Sequence, residues 1–295
     1  MDPRPEPGTP LADGPNYEQV RYWNEEAGER WVAHIDDLDI MVGSFGEAGL
    51  EAAALETGDR VLDVGCGCGS HTLGAARLVG EAGEVLGVDI SSPMLAAARR
   101  RCAAAGASNT RFQSADAQTH RFGAGHFDAV ISRFGVMFFA DPQAAFTNLV
   151  VALRPGGRVA FVVWQEVARN PWLLVPVMAV REHLALPSPP PEGGPGPFSL
   201  HDADRLDTLL SGAGLEDVSV ESLERPLRVP AAGVDDAAEF VLRMGPLGDA
   251  LSAADEPTRA AAAAAVATAL VAFRTDRGVE MPGAAWLATG WRPAG

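Results

Sequence analysis

Basic charge, cysteine and long apolar runs are all scarce in this chain. Its 295 residues carry 23 Lys and Arg against 39 Asp and Glu, a formal net charge of −16. Phosphate backbones are gripped by clustered cations, so this balance argues against a nucleic-acid partner. Three cysteines, an odd number, do not make a disulfide scaffold. No apolar run reaches the roughly 20 residues that a membrane-spanning helix needs. Met1 to Pro15 is polar and proline-rich, without the basic start and apolar centre of a secretory leader. A cytoplasmic protein without a membrane span is expected, and no repeat of solenoid period is present.

What the chain does have is apolar residues, 47% of the total and enough for a large core, arranged as short runs that end in glycine or acid. The most informative is Val61-Leu62-Asp63-Val64-Gly65-Cys66-Gly67-Cys68-Gly69, a buried strand running into a glycine loop. Alternating glycines let backbone N–H groups approach a ligand closely. A dinucleotide loop has the spacing G-x-G-x-x-G and no acid beside it. Here Asp63 precedes the first glycine by two residues, where it would repel a pyrophosphate and attract a cation. A nucleoside bearing positive charge is therefore expected, and S-adenosylmethionine fits. Cys66, Cys68 and His71 have metal-like spacing but no complete ligand set, and they lie in or just after the loop the ligand needs. No metal is expected.

Further strand-like runs follow. Glu84–Ile90 ends in Asp89 and leads into Ser92-Pro93, with Ser92 as helix cap and Pro93 as first helical residue. An acid in the position of Asp89 can accept from both ribose hydroxyls. Thr110–Ala117 ends in Asp116, suited to the adenine amine, with the Ala117 N–H for the ring. Phe127–Phe139 opens into an aromatic loop, and Leu153–Trp164 joins a tight turn to a buried strand.

In this order the five segments resemble the class I S-adenosylmethionine-dependent methyltransferases, in particular the ubiquinone and menaquinone C-methyltransferase branch, over roughly residues 17 to 225. The resemblance implies that Asp63, Gly65, Cys66 and Gly67 line the methionine end of the cofactor. It also implies that Asp89 holds the ribose, Ile90 and Met94 pack on adenine, and Asp116 and Ala117 read its edge. Ser132 and Arg133 would border the methionine moiety, mostly through the main chain. Cys68 departs from the threonine or similar small polar residue usual in the family.

The organisation expected is a doubly wound α/β sheet of seven mostly parallel strands, Rossmann-like, with a helical arm in front and helical insertions after strands five and six. Residues 1 to 16 read as a disordered tail and 17 to 55 as the arm, with Trp23, Trp31, Ile35 and Leu38 on one apolar face. Residues 56 to 165 form the cofactor-binding core, and 166 to 213 an insertion and proline-rich linker with a helix. Residues 214 to 295 hold the last two strands, the final one antiparallel, around an insertion at roughly 234 to 275. The arm either covers one end of the sheet or closes over the cofactor as a lid. Its apolar surface, or that of the alanine-rich helix near the C-terminus, could support a homodimer.

Substrate contacts are expected from Tyr22, Trp31, Phe134, Met137, Trp164 and Trp172, each of which also reads as ordinary core. Glu166, just past strand five, His34 on the arm and His71 after the glycine loop are the candidates for a base or orienting group, against a solvated carboxylate and structural histidines. The function expected is methyl transfer to a small apolar or aromatic acceptor, through C, O or N, in quinone or specialised-metabolite biosynthesis. The alternatives are a cyclase or isomerase that retains the cofactor, a non-catalytic binding protein of the same fold, and a dehydrogenase, which the Asp63 spacing disfavours.

Overall fold

The computed structural model describes residues 13–186, 191 and 193–295. Most of the tail expected at 1–16, and positions 187–190 and 192 of the linker, lie outside the described residues. Within the tail, Asn16 is buried, 4% exposed, so ordered packing begins before the first helix.

The arm is three helices, α1 (Tyr17–Asn24), α2 (Glu26–Ala33) and α3 (Ile35–Ala53), broken at Glu25 and His34. Alternation of strands and helices follows: β1 (Arg60–Val64), α4 (Ser70–Val79), β2 (Glu84–Asp89), α5 (Ser92–Ala104), β3 (Thr110–Ser114), β4 (Phe127–Arg133), α6 (Pro142–Ala152) and β5 (Leu153–Trp164). Beyond it lie α7 (Pro171–Val180), α8 (Ala203–Gly212), β6 (Glu216–Val229), α9 (Val234–Arg243), α10 (Gly245–Ser252), α11 (Glu256–Leu270), the two-residue β7 (Arg274–Thr275) and β8 (Gly278–Trp291).

The sheet order is β3-β2-β1-β4-β5-β8-β6, with β7 paired to β8. Strands β1 to β5 are parallel, and β8 runs antiparallel between β5 and β6. The expected seven strands are thus present, with the last threaded inside the sheet and β7 a small addition to it. Continuous burial of Val61–Val64 and Gly157–Trp164 shows strands covered on both faces, as a parallel sheet with helices on each side demands. Edge strand β6 instead exposes Glu216, Glu221, Glu224, Arg225, Pro226 and Arg228. Charges and a proline discourage further strand pairing at an open edge.

Local sequence explains the helix starts. Asp141, Asp202 and Asp255 each accept from the N–H three residues on, at 3.0, 2.9 and 2.9 Å, and so cap α6, α8 and α11. Helix α5 departs from expectation. It begins at Ser92, with Ser91 in the capping position, but the Ser91 hydroxyl donates to the Trp23 carbonyl oxygen at 2.7 Å. The cap comes from the arm, where Asn24 Oδ1 accepts the Ser92 N–H at 2.9 Å. Gly28 seats α2 against this corner, because a Cβ there would lie 2.9 Å from Ser91 Oγ and 3.1 Å from Pro93 Cγ. The two insertions meet, as α11 packs on both α9 and α7.

The foot of the sheet is tied by one arginine. Arg158, 7% exposed, donates to the carbonyl oxygens of Ala53 and Ala54 and to Asp59 Oδ2, the last at 2.7 Å. It joins the end of α3 to β5 and the approach to β1. Leaving a buried charge without its partner costs about 3 to 5 kcal/mol. Asp59→Ala is expected to lose about 3 kcal/mol of unfolding free energy in urea titration; a loss below about 1 kcal/mol would show that the pair is solvated.

Candidate active site

Strand β1 delivers the glycine loop to the carboxyl edge of the sheet. Gly65 and Cys66 N–H both donate to the Val88 carbonyl oxygen, at 2.9 and 3.0 Å, which ties the loop to β2. Gly65 has φ +65°, and a Cβ on it would lie 2.5 Å from the Gly135 Cα, so the loops after β1 and β4 touch backbone to backbone. The Cys66 side chain turns into the sheet beside Gly87, leaving Cys66 only its main chain to offer a ligand.

Asp89 stands beside this loop, half-buried. Its Oδ2 accepts from Gly67 N–H and its Oδ1 from Ser91 N–H, both at 2.8 Å. Burial pushes its carboxyl above the usual range, and the N–H groups of Ser91 and Gly67 oppose that shift. The carboxylate is therefore fixed in orientation with lone pairs to spare, as a diol requires. Ile90 follows on the wall of a groove of about 370 Å³ shared with Tyr17, Val20, Arg21, Asn24, Glu25 and Ser92. Met94, 7% exposed, sits under Gly67.

Several of the expected residues hold the loops together through their side chains. Asp63 is 1% exposed; its Oδ2 accepts the Thr72 hydroxyl at 2.6 Å, and its Oδ1 lies 3.4 Å from His71 Nδ1. It fastens the first turn of α4 from inside. Ser132, fully buried, donates to the Val64 carbonyl oxygen at 2.7 Å and accepts Gly135 N–H at 3.2 Å, a loop-shaping role. Arg133 contributes its side chain as well as its backbone. Its guanidinium donates to Ser70 Oγ at 3.0 Å and lies 3.7 Å from Asp39 of α3, a carboxylate shared with Arg101 at 2.5 Å. Burial lowers the Arg133 pKa, and Asp39 works against that shift.

Phe134 ends β4 with φ +64°, a conformation that costs a non-glycine residue of order 1 kcal/mol and gathers at functional sites. Its ring stacks on Trp164 at 3.9 Å and 12°, Phe45 meets both rings edge-on, and Trp172 tilts against Trp164 at 5.1 Å. Met137 is 2% exposed, its sulfur accepting Trp164 N–H at 3.4 Å, so it backs this aromatic wall and offers no face of its own. Asn170, fully buried, orients Trp172 by accepting its indole N–H at 2.9 Å.

On the arm, Trp23 is the centre. Tyr22, Trp31 and Phe138 each meet it edge-on at 5.2 to 5.6 Å. Burial raises the Tyr22 pKa, with Asp249 adding to the shift and Arg30 opposing it. His34 lies 3.5 Å from Asp37 and edge-on to Phe240 of α9. Glu166 is exposed, and its buried neighbours Gln165 and Asn170 are neutral amides. Sequence reading missed Asn16, Asn24, Thr72 and Asn170, whose partners lie up to 124 residues away. Among the described residues no cluster of three His, Cys, Asp or Glu is placed to hold a metal ion, and no helix is long and apolar enough to cross a membrane.

Cys68 sits between these charged groups. Burial first, then Asp89 and Asp39, push its thiol up to about 12, while Arg101 and Arg133 pull the other way. Below that pH it stays protonated, and its thiolate share near neutrality is on the order of a thousandfold below that of a free cysteine. Alkylation followed by mass spectrometry at pH 8 is expected to leave Cys68 slow to react; labelling at the rate of an exposed thiol would contradict this.

Residues 61–157 match the family model described as a methyltransferase domain. Among curated proteins, the ubiquinone/menaquinone biosynthesis C-methyltransferase UbiE of Azotobacter vinelandii is 40% identical over 111 residues, 37% of this chain and 44% of that protein. The aklanonic acid methyltransferase DauC of a Streptomyces species is 40% identical over 105 residues, 36% of this chain and 48% of that one. The matched stretch spans just under half the length of these relatives. Among solved structures, the YcgJ protein of Bacillus subtilis superposes with TM-score 0.56 at 18% identity, covering 86% of this chain and all of that one, which speaks to the fold. Residues 61–157 thus match a methyltransferase domain, and over that stretch the chain is similar to a ubiquinone/menaquinone biosynthesis C-methyltransferase.

Proposed function

We propose that this chain transfers a methyl group from S-adenosylmethionine to a small apolar or aromatic acceptor in quinone or specialised-metabolite biosynthesis. The observation that carries the reading is Asp89, fixed by the Gly67 and Ser91 N–H groups beside the glycine loop, within a domain of this family. The residues present fit the cofactor. Asp89 keeps lone pairs for the ribose hydroxyls, the glycine loop, its N–H groups already bonded to Val88 and Asp89, would meet the amino-acid portion through carbonyl oxygens, and Asp116 with Ala117 would read adenine. When bound, the cofactor supplies an electrophilic methyl group on a positively charged sulfur.

The acceptor side is built from apolar surface. Phe134, Trp164 and Trp172 form a wall backed by Phe45, and α7, apolar along its length, is only half-buried on most of its residues. Such a wall suits a planar apolar molecule and keeps water from the reacting atoms. Positioning of two reactants supplies most of the rate when the nucleophile needs little activation. With Glu166 in solvent, His34 on the arm and the buried His71 remain as base candidates, and an acceptor carbon or heteroatom already activated would need none. The two relatives are named for ubiquinone and menaquinone biosynthesis and for aklanonic acid, which supports a small-molecule acceptor.

Candidate phenols and quinones incubated with the cofactor should gain one methylene in product mass and release S-adenosylhomocysteine. A rearranged product of unchanged mass, with the cofactor intact, would transfer the chain to the cyclase reading. Asp89→Ala is expected to weaken S-adenosylhomocysteine binding by about 2 to 3 kcal/mol in calorimetry, through loss of charge-assisted bonds; wild-type affinity would remove the ribose assignment. Glu166→Gln should leave turnover within about twofold, as expected for an exposed side chain away from the chemistry, and a large loss would restore it to the site.

A further inference from the structure

Asn16 leads into α1, and its side chain is committed on every side. The amide nitrogen donates to both oxygens of Asp116 at 2.9 Å and to Gln118 Oε1 at 3.2 Å. The amide oxygen accepts Ala140 N–H at 2.7 Å. Gln118 closes the network, its N–H donating to Asp116 Oδ1 at 2.9 Å and its Oε1 accepting Asp141 N–H at 3.1 Å. The side chain thus bridges the loop after β3 to the loop after β4. With Asn16 in place, Asp116 and Ala117 are each only 5% exposed.

A carboxamide presents N–H donors beside an oxygen acceptor. The edge of adenine presents an amine donor beside a ring-nitrogen acceptor, so the two seek the same kinds of partner. In the proposed function Asp116 receives the adenine amine and Ala117 the ring. Those groups have almost no free surface while Asn16 occupies the carboxylate. The rest of the arm is anchored separately, through Asn24 to the Ile90 carbonyl oxygen at 2.8 Å and through the Trp23 carbonyl oxygen to Ser91. Release of Asn16 would therefore free the adenine end of α1 while the ribose end stays attached.

We propose that Asn16 is a latch that fills the adenine subsite with the chain's own carboxamide, so that the cofactor enters by displacing it and the start of the arm opens to admit the ring. The proposal rests on the cofactor reading above. A binding-competent state that is only fractionally populated weakens apparent affinity by that fraction, so a latch shut nine-tenths of the time costs about tenfold.

The test titrates wild type, Asn16→Ala and Asn16→Asp with S-adenosylhomocysteine and follows amide hydrogen exchange of residues 17–24 in the unliganded proteins. Asn16→Ala is expected to bind roughly tenfold more tightly and to exchange α1 amides at least several-fold faster. Asn16→Asp, which sets a second carboxylate against Asp116, should shift both readouts the same way and serves if the alanine variant folds poorly. Wild-type binding that is unchanged or weakened in both variants would overturn the latch and make Asn16 a support of the adenine site. Absence of binding by all three proteins, wild type included, marks failure of the cofactor reading and takes the proposal down with it.

Discussion

The hydrogen bond from Gly67 N–H to Asp89 is the contact on which the site depends, because it locks the loop after β1 to the acid that ends β2. The loop is already held by two N–H bonds to Val88, and its first glycine lies against Gly135. Three consecutive places at the carboxyl edge of the sheet, β2, β1 and β4, are thereby fixed by main-chain contacts. A site built on strand ends and backbone is more rigid than one built on free loops, and such preorganisation is what a charged nucleoside needs. Buried support comes from beneath, where Asp63 and Thr72 set the first turn of α4 and Ser132 shapes the turn into Phe134.

Around this centre the helical additions are arranged in two parts. The arm is held by Asn16, Trp23 and Asn24 through side chain and backbone to the loops after β2, β3 and β4. The insertions lie over the other side, where α7 bears Trp172 against Trp164 and meets α11. Arg30 joins the two by its ion pair with Asp249 of α10.

The core was legible because its signals are local. Short apolar runs ending in Asp or Gly mark β1, β2, β4 and β5, and the Gly65–Gly69 spacing with Asp89 at the next strand end identifies the ligand class. Long-range side-chain bonds were not legible. Nothing near Ser92 says that Asn24 caps its helix, or near Asp116 that Asn16 covers it, because the partners lie 68 and 100 residues away. For Asp63 the position in the motif is visible, but its bond to the Thr72 hydroxyl is not. Glu166 looked distinctive as an acid past β5, yet polarity alone does not reveal that the neighbouring neutral amides, Gln165 and Asn170, take the buried places. The place of β8 between β5 and β6 follows from pairing that no single run of residues encodes.

The most direct measurement is calorimetric titration of the purified protein with S-adenosylmethionine, S-adenosylhomocysteine and a nicotinamide dinucleotide in parallel. Micromolar binding of the two sulfur nucleosides, one per chain, with no heat from the dinucleotide is the expected result. Binding of the dinucleotide, or of none of the three, would mean that the acid and glycine set preserves a fold without the cofactor it was read to hold.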